Sequence, residues 1–133
     1  ADLLAGNVPI MFDSLTSALP QIQAGKVNAI AVTTPTRAPQ LPTVPTIGET
    51  VAPGYGAYGW TGLVGPAGLP PEIVSKVNAD LNAILRDPAM ERRFIELGAT
   101  TSPGTPEEFA AFVKREIAQW REVARIANVR LEG

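Results

Sequence analysis

The sequence predicts an α/β fold in which a short parallel sheet is followed by C-terminal helices. Three observations lead there. Residues 1–71 carry only five charged side chains (Asp2, Asp13, Lys26, Arg37 and Glu49), whereas residues 72–133 carry nineteen. Proline runs the other way, with ten of thirteen at or before Pro71. The first half is therefore apolar, punctuated and strand- and loop-like, and the second is charged and helical. Within the first 33 residues an apolar run, a helical segment and a β-branched run follow one another, the βαβ order of a parallel sheet.

Asp2 to Ala5 reads as the end of a helix stopped by Gly6. Val8 to Phe12 is an apolar run suited to a buried strand. Ser14 to Ala24 reads as a short helix closed by Gly25, with Pro20 kinking it or ending its first part. Val27 to Thr33 is rich in β-branched residues and is the second strand. Pro35 to Pro53 is a long proline-rich connection with a short helix near Ile47, and Tyr58 to Val64 is a third strand candidate. Pro70 and Pro71 then start a helix whose apolar stripe is Ile73, Val74, Val77, Leu81, Ile84 and Leu85. Asp87-Pro88 caps and opens the next, which runs through Met90, Phe94 and Leu97 to Gly98. Thr105-Pro106-Glu107-Glu108 combines an N-cap, proline at the first helical position and a capping-box glutamate. Behind it Phe109, Phe112, Val113, Ile117, Trp120 and Val123 make one face of a helix reaching Ala127.

At 133 residues this is a one-domain length, and 45% hydrophobic with 18% charged residues is a globular balance. Such a length is enough to bury a core, made mostly of Ala, Val, Leu and Ile because aromatics are only 6%. A net charge of −2, without any basic run, leaves out the field that nucleic-acid binders use. Cysteine and histidine are both absent. Their absence removes disulfides, thiolate and imidazole metal sites, iron–sulfur clusters and both the Ser–His–Asp and Cys–His arrangements. No cofactor is expected. The chain opens Ala-Asp-Leu-Leu-Ala-Gly, with no basic or apolar leader region, so it reads as a mature or truncated chain without a signal peptide.

Gly54-Tyr-Gly-Ala-Tyr-Gly59 matches a dinucleotide-binding fingerprint in letters only. Those glycines follow Pro53 and run into a strand-like stretch instead of opening a helix, so a flexible connection or hinge is the better reading. Asp13-Ser14-Leu15-Thr16-Ser17 is more informative, lying between a strand and a helix. Helix N-termini in open α/β sheets offer unpaired N–H groups to anions, and Ser14 and Ser17 add hydroxyls. A simple N-cap at Asp13 or Ser14 uses the same atoms, and the two readings stand equal on local sequence. The charged residues of the second half fall mostly on polar helix faces, where ion pairs are ordinary. Trp60 and Trp120 read as core or hinge packing. No convincing catalytic group emerges.

Val8-Pro-Ile-Met-Phe-Asp-Ser-Leu-Thr-Ser-Ala-Leu-Pro20 is followed by Gly25-Lys-Val-Asn-Ala-Ile-Ala-Val-Thr-Thr34 and Leu41-Pro-Thr-Val-Pro-Thr-Ile-Gly-Glu49. Then come Trp60-Thr-Gly-Leu-Val-Gly-Pro-Ala-Gly-Leu-Pro70, Leu97-Gly-Ala99, Thr105-Pro-Glu-Glu-Phe109 and Trp120. In that order and spacing they resemble the C-terminal half of the Bug family (Bordetella uptake gene products), the periplasmic receptors of tripartite tricarboxylate transporters. The resemblance implies a partial type II periplasmic-binding-protein fold, of which the whole is a Venus-flytrap of two lobes closing over a small carboxylate or amino-acid ligand. It implies that residues 1–56 are the later part of the second lobe. Residues 57–133 are then the crossover strand and the helices returning to the first lobe. Phe12, Asp13, Ser14 and Ser17 match the second-lobe segment facing the cleft, where the family holds carboxylates by backbone N–H groups, hydroxyls and water. Thr16 stands where the family usually has proline and Ser14 where it often has asparagine, so no particular solute is implied.

The expected protein is thus a non-enzymatic, periplasmic receptor fragment whose partners are its solute and the membrane subunits of the transporter. Nucleic acid is not among its expected partners. A fragment of this kind leaves sheet edges and apolar faces uncovered, which favours a homodimer or aggregation. Two rivals belong to other classes. One is a self-assembling module that offers the helix Thr105–Ala127 to a partner without binding a ligand. The other is a small enzyme using Asp13 as a base.

Overall fold

A computed structural model describes residues 2–129. Its helices are α1 (Leu15–Gln23), α2 (Ile47–Thr50), α3 (Pro71–Leu85), α4 (Pro88–Glu96) and α5 (Pro106–Ile126). They belong to two compact units. The first comprises Ala1–Gly65 and Asp87–Thr101, and so holds α1, α2 and α4. The second comprises Pro66–Arg86 and Ser102–Gly133, and holds α3 and α5.

Helix starts follow the capping chemistry of the sequence. Asp87 Oδ1 accepts from the amides of Ala89 and Met90 at 2.8 and 3.0 Å, with Pro88 at the position where no amide is needed. At α5 the capping box is closed both ways: Glu108 N donates to Thr105 Oγ1 at 3.1 Å, and Thr105 N donates to Glu108 Oε2 at 2.8 Å. Thr46 and Glu49 close a second box over the single turn of α2, at 3.0 and 2.9 Å.

Helix ends repeat one device. After α4, Gly98 N donates to Ile95 O and Ala99 N to Phe94 O, the paired bonds that satisfy the last carbonyls. The same pair ends α1 at Gly25 and Lys26, and Gly6 and Asn7 make it to Leu3 O and Asp2 O. The helix-end reading of Asp2 to Gly6 thus has its hydrogen-bond pattern. Pro20 neither ends α1 nor divides it: the helix runs through it to Gln23.

The expected parallel sheet does not form as a ladder among the described residues. Val8–Phe12, Val27–Thr33 and Tyr58–Val64 carry no strand, and a single parallel bridge joins Val32 to Thr46. There Val32 N donates to Pro45 O and Ile47 N to Val32 O, both at 2.9 Å. The reason is chemical. β-Branched content describes a fit to a pleated surface, whereas a strand also needs a neighbour with paired N–H and C=O groups. Val32's neighbour is the proline-rich connection, and Pro42 and Pro45 have no N–H to extend the ladder.

Buried apolar side chains among the described residues are few: Leu19 is 3% exposed and Ala38 8%. Thr46, 1% exposed, is buried but satisfied by its capping box. The expected core is therefore small. Ile73, Val74, Val77 and Ile84 of α3, and Ile117, Trp120 and Val123 of α5, lie on the anticipated stripes yet remain exposed. Periodicity identifies which face of a helix is apolar, not what covers it. Trp60 and Trp120, read as packed, are likewise nearly half exposed. In the second unit α3 is tied to the start of α5 by polar bonds: Asn82 and Asn78 both reach the backbone of Gly104.

Candidate functional site

The chain enters α1 through Phe12, Asp13 and Ser14. Ser14 takes the extended N-cap conformation (φ −68°, ψ 137°), but its hydroxyl caps no amide. It pairs instead with the hydroxyl of Thr16 at 2.8 Å. Asp13 supplies the acceptor at this helix end: its Oδ1 takes the Ser14 amide and the Ser17 hydroxyl, each at 2.8 Å. The Ser17 hydroxyl also lies 2.8 Å from Ser14 O. A carboxylate at a helix N-terminus is stabilised by the partial positive charge there. Three of the four candidate residues thus form one hydrogen-bonded cluster on an exposed surface, and Phe12 beside them is 76% exposed.

The cluster keeps donors in reserve. One hydroxyl proton suffices for the Ser14–Thr16 bond, so the other of the pair remains to donate outward. The amides of Leu15 and Thr16, in the first turn, meet no acceptor among the described residues. A carboxylate, with two acceptor oxygens, fits such a group of N–H and O–H donors.

Sequence reasoning missed two features of the first unit. Gln40 reaches the end of α4, donating from Nε2 to Ile95 O at 3.0 Å and to Ala99 O at 3.2 Å. Nothing local marks a glutamine in a proline-rich connection as the partner of a helix 55 residues away. The second was legible: Thr46-Ile-Gly-Glu49 has the capping-box spacing. Glu49 also pairs with Arg37, whose Nε lies 3.0 Å from Glu49 Oε2 and whose Nη1 donates to Pro42 O. The Thr46 amide hydrogen bond, aided by Arg37 and opposed by desolvation, holds the Glu49 carboxyl below its ordinary range. A shallow depression of about 300 Å³ lies over this turn, lined by Pro35, Thr46, Gly48, Glu49, Gly54, Tyr55 and Gly56. It contains none of the four candidate ligand residues. The glycines of the letter-matched fingerprint open no helix. Among the described residues, no three acidic side chains gather to hold a metal ion.

The family described as tripartite tricarboxylate transporter family receptor matches residues 1–129. The chain belongs to this family. Among its relatives, a protein of the tcbD–tcbE intergenic region of Pseudomonas sp. (strain P51) is 39% identical over 124 residues. That match covers 92% of this chain and 37% of the relative. BugT of Bordetella pertussis is 30% identical over 131 residues, covering 98% and 40%. Two solved structures extend the likeness to three dimensions. The R. palustris protein Rpa4515, solved with adipate, shares 36% identity at a TM-score of 0.85, covering 96% of this chain and 42% of that one. The periplasmic binding protein BugD shares 38% at 0.83, covering 98% and 44%. The chain thus spans about two fifths of the length of these four proteins, and its fold matches part of a periplasmic binding protein. No helix among the described residues is long and apolar enough to cross a membrane.

Proposed function

We propose that the chain is part of an extracytoplasmic receptor that binds a small carboxylated solute for a tripartite tricarboxylate transporter. Residues 1–56 supply the later part of the second lobe, and residues 57–133 the crossover strand and the helices returning to the first. Of these, residue 1 and residues 130–133 lie outside the described residues. In this reading α4 turns back onto the second lobe through Gln40. Phe12, Asp13, Ser14 and Ser17 meet the solute at the start of α1. Solute closes the lobes, and the membrane subunits of the transporter recognise the closed form. The place of work is the periplasm.

The observation that carries this reading is the donor set at the α1 N-terminus in a chain so similar in fold to an adipate-bound protein. MatC from Rhodopseudomonas palustris, solved with malate, supports the same class of solute, at 35% identity and a TM-score of 0.74. The test is a thermal-shift series with mono-, di- and tricarboxylates, including adipate and malate. A solute at 100 times its dissociation constant stabilises the fold by about 2.7 kcal/mol. A shift confined to one class of acid supports the reading, and a cooperative melt that no acid moves opposes it.

The exposed face of α5, with Ile117, Trp120 and Val123, favours a second reading, a helix offered to a partner or to another copy. Trp120→Ser separates the two: assembly lost with the fold intact supports the module, and loss of the fold supports packing.

A further inference from the structure

We propose that Gly98 is a positioning residue for the solute site, through close contact between the final turn of α4 and the first turn of α1. The proposal rests on the carboxylate reading above. Gly98 has φ +78°, the left-handed conformation that ends α4. Its role as a stop accounts for that angle but not for its surroundings. A Cβ built there meets Leu15 O at 2.9 Å and Leu15 C and Thr16 N at 3.0 Å. All three atoms belong to the peptide group joining Leu15 to Thr16, so the obstacle is backbone with no flexible end to swing aside. Other left-handed glycines of the first unit differ: at Gly6, Gly25 and Gly54 a Cβ meets nothing within 4 Å.

The contacted peptide carries the Thr16 amide, one of the two first-turn donors that meet no acceptor among the described residues. The absence of a side chain at Gly98 therefore fixes how closely α4 approaches and where that donor stands relative to Asp13 and Ser14. The turn is itself held by Gln40, whose Nε2 donates to Ile95 O and Ala99 O, residues on either side of Gly98 in the chain. Gln40 and Gly98 thus clamp the start of α1, and neither needs to touch the solute.

The experiment compares Gly98→Ala with Gly25→Ala, which introduces the same kind of left-handed strain at the other end of α1 without a backbone clash. Affinity for adipate and malate is measured by calorimetry on the 133-residue chain, alongside melting temperature and the amide signals of Leu15 and Thr16 without solute. The expected result is a loss of affinity of about tenfold or more in Gly98→Ala, since recognition groups tolerate only about half an ångström of misplacement. The Leu15 and Thr16 signals move with it, while Gly25→Ala lowers the melting temperature and leaves affinity and those signals in place. If Gly98→Ala does not fold, Gln40→Ala decides: weakened binding with shifted Leu15 and Thr16 signals supports the clamp, and unchanged binding overturns it. Equal affinity in folded Gly98→Ala, or equal losses in both glycine variants, also overturns the positioning role while leaving the carboxylate reading intact. Failure of the unmutated chain to bind either acid overturns that reading and the proposal with it.

Discussion

The side-chain amide of Asn82 pairs with both backbone groups of Gly104, accepting from its N–H at 2.9 Å and donating to its carbonyl at 2.8 Å. Asn78 adds a donor to the same carbonyl at 3.0 Å and accepts from Asn82 at 2.9 Å. These bonds lie on a half-buried surface and join α3 to the residue just before the Thr105 cap of α5. Asn82→Leu keeps the branching at Cγ and removes all three side-chain bonds, leaving the Gly104 amide without its partner. The expected loss is about 1–3 kcal/mol, read from urea melts. Asn82→Asp keeps the acceptor but sets a carboxylate against the Gly104 carbonyl, and is expected to fall between wild type and Asn82→Leu only when the pH is low enough to protonate it.

Thr105→Ala opens the capping box of α5 from one side. The Glu108 amide loses its acceptor, and the Glu108 carboxylate loses the geometry that the box imposes on it. A cost of about 1 kcal/mol is expected, with Thr105→Ser nearly neutral because serine presents the same oxygen. Circular dichroism during a denaturant titration checks it: the midpoint falls, and the slope stays unchanged.

These caps explain which parts of the fold were legible. Asp87-Pro88 and Thr105-Pro106-Glu107-Glu108 are local instructions, satisfied within three residues, so the sequence states them in full. The same locality made Gly25 and Gly98 readable as stops. A strand at Val27–Thr33 is a different kind of statement, because half of its hydrogen bonds belong to a neighbour. Here that neighbour is a proline-rich segment which supplies one bridge. At the candidate site, the cluster of Asp13, Ser14 and Ser17 was legible because its bonds span at most four residues. The reach of Gln40 across 55 residues, and the approach of Gly98 to Leu15, depend on tertiary packing that no local pattern encodes.

Glu49 gives the first unit a pH dependence with a definite sign. Its carboxyl is held below the ordinary range, first by the Thr46 amide and then by Arg37. A group whose folded pKa is depressed contributes stability above its unfolded value, near pH 4.3, and that contribution disappears as pH falls through the lower folded value. Glu49→Gln removes the titration while keeping an acceptor for Thr46. Melting temperatures of wild type and Glu49→Gln are therefore expected to differ most near neutrality and to converge as pH falls below the unfolded value and through the lower folded one. Parallel curves throughout that range would mean that the Glu49 charge, held by the Thr46 amide and by Arg37, contributes nothing to stability.

Asp13 offers a test of what the α1 terminus selects. Its Oδ1 organises the cluster by accepting from Ser14 and Ser17, and asparagine keeps an oxygen for both while removing the charge. A solute bearing only carboxylates meets less repulsion in Asp13→Asn and is expected to bind several-fold more tightly. A solute that also carries an ammonium group loses a charged acceptor, and charge-assisted bonds are worth about 1.5–3 kcal/mol, or about tenfold or more in affinity. Malate and aspartate differ chiefly by that ammonium, so the ratio of their affinities is the sensitive readout. The ratio is expected to swing toward malate in Asp13→Asn. Ser17→Ala, which frees one acceptor position on a still-charged Asp13, is expected to move it toward aspartate. Movement of both variants in the same direction would show that Asp13 acts only as scaffolding for the helix end and does not face the solute.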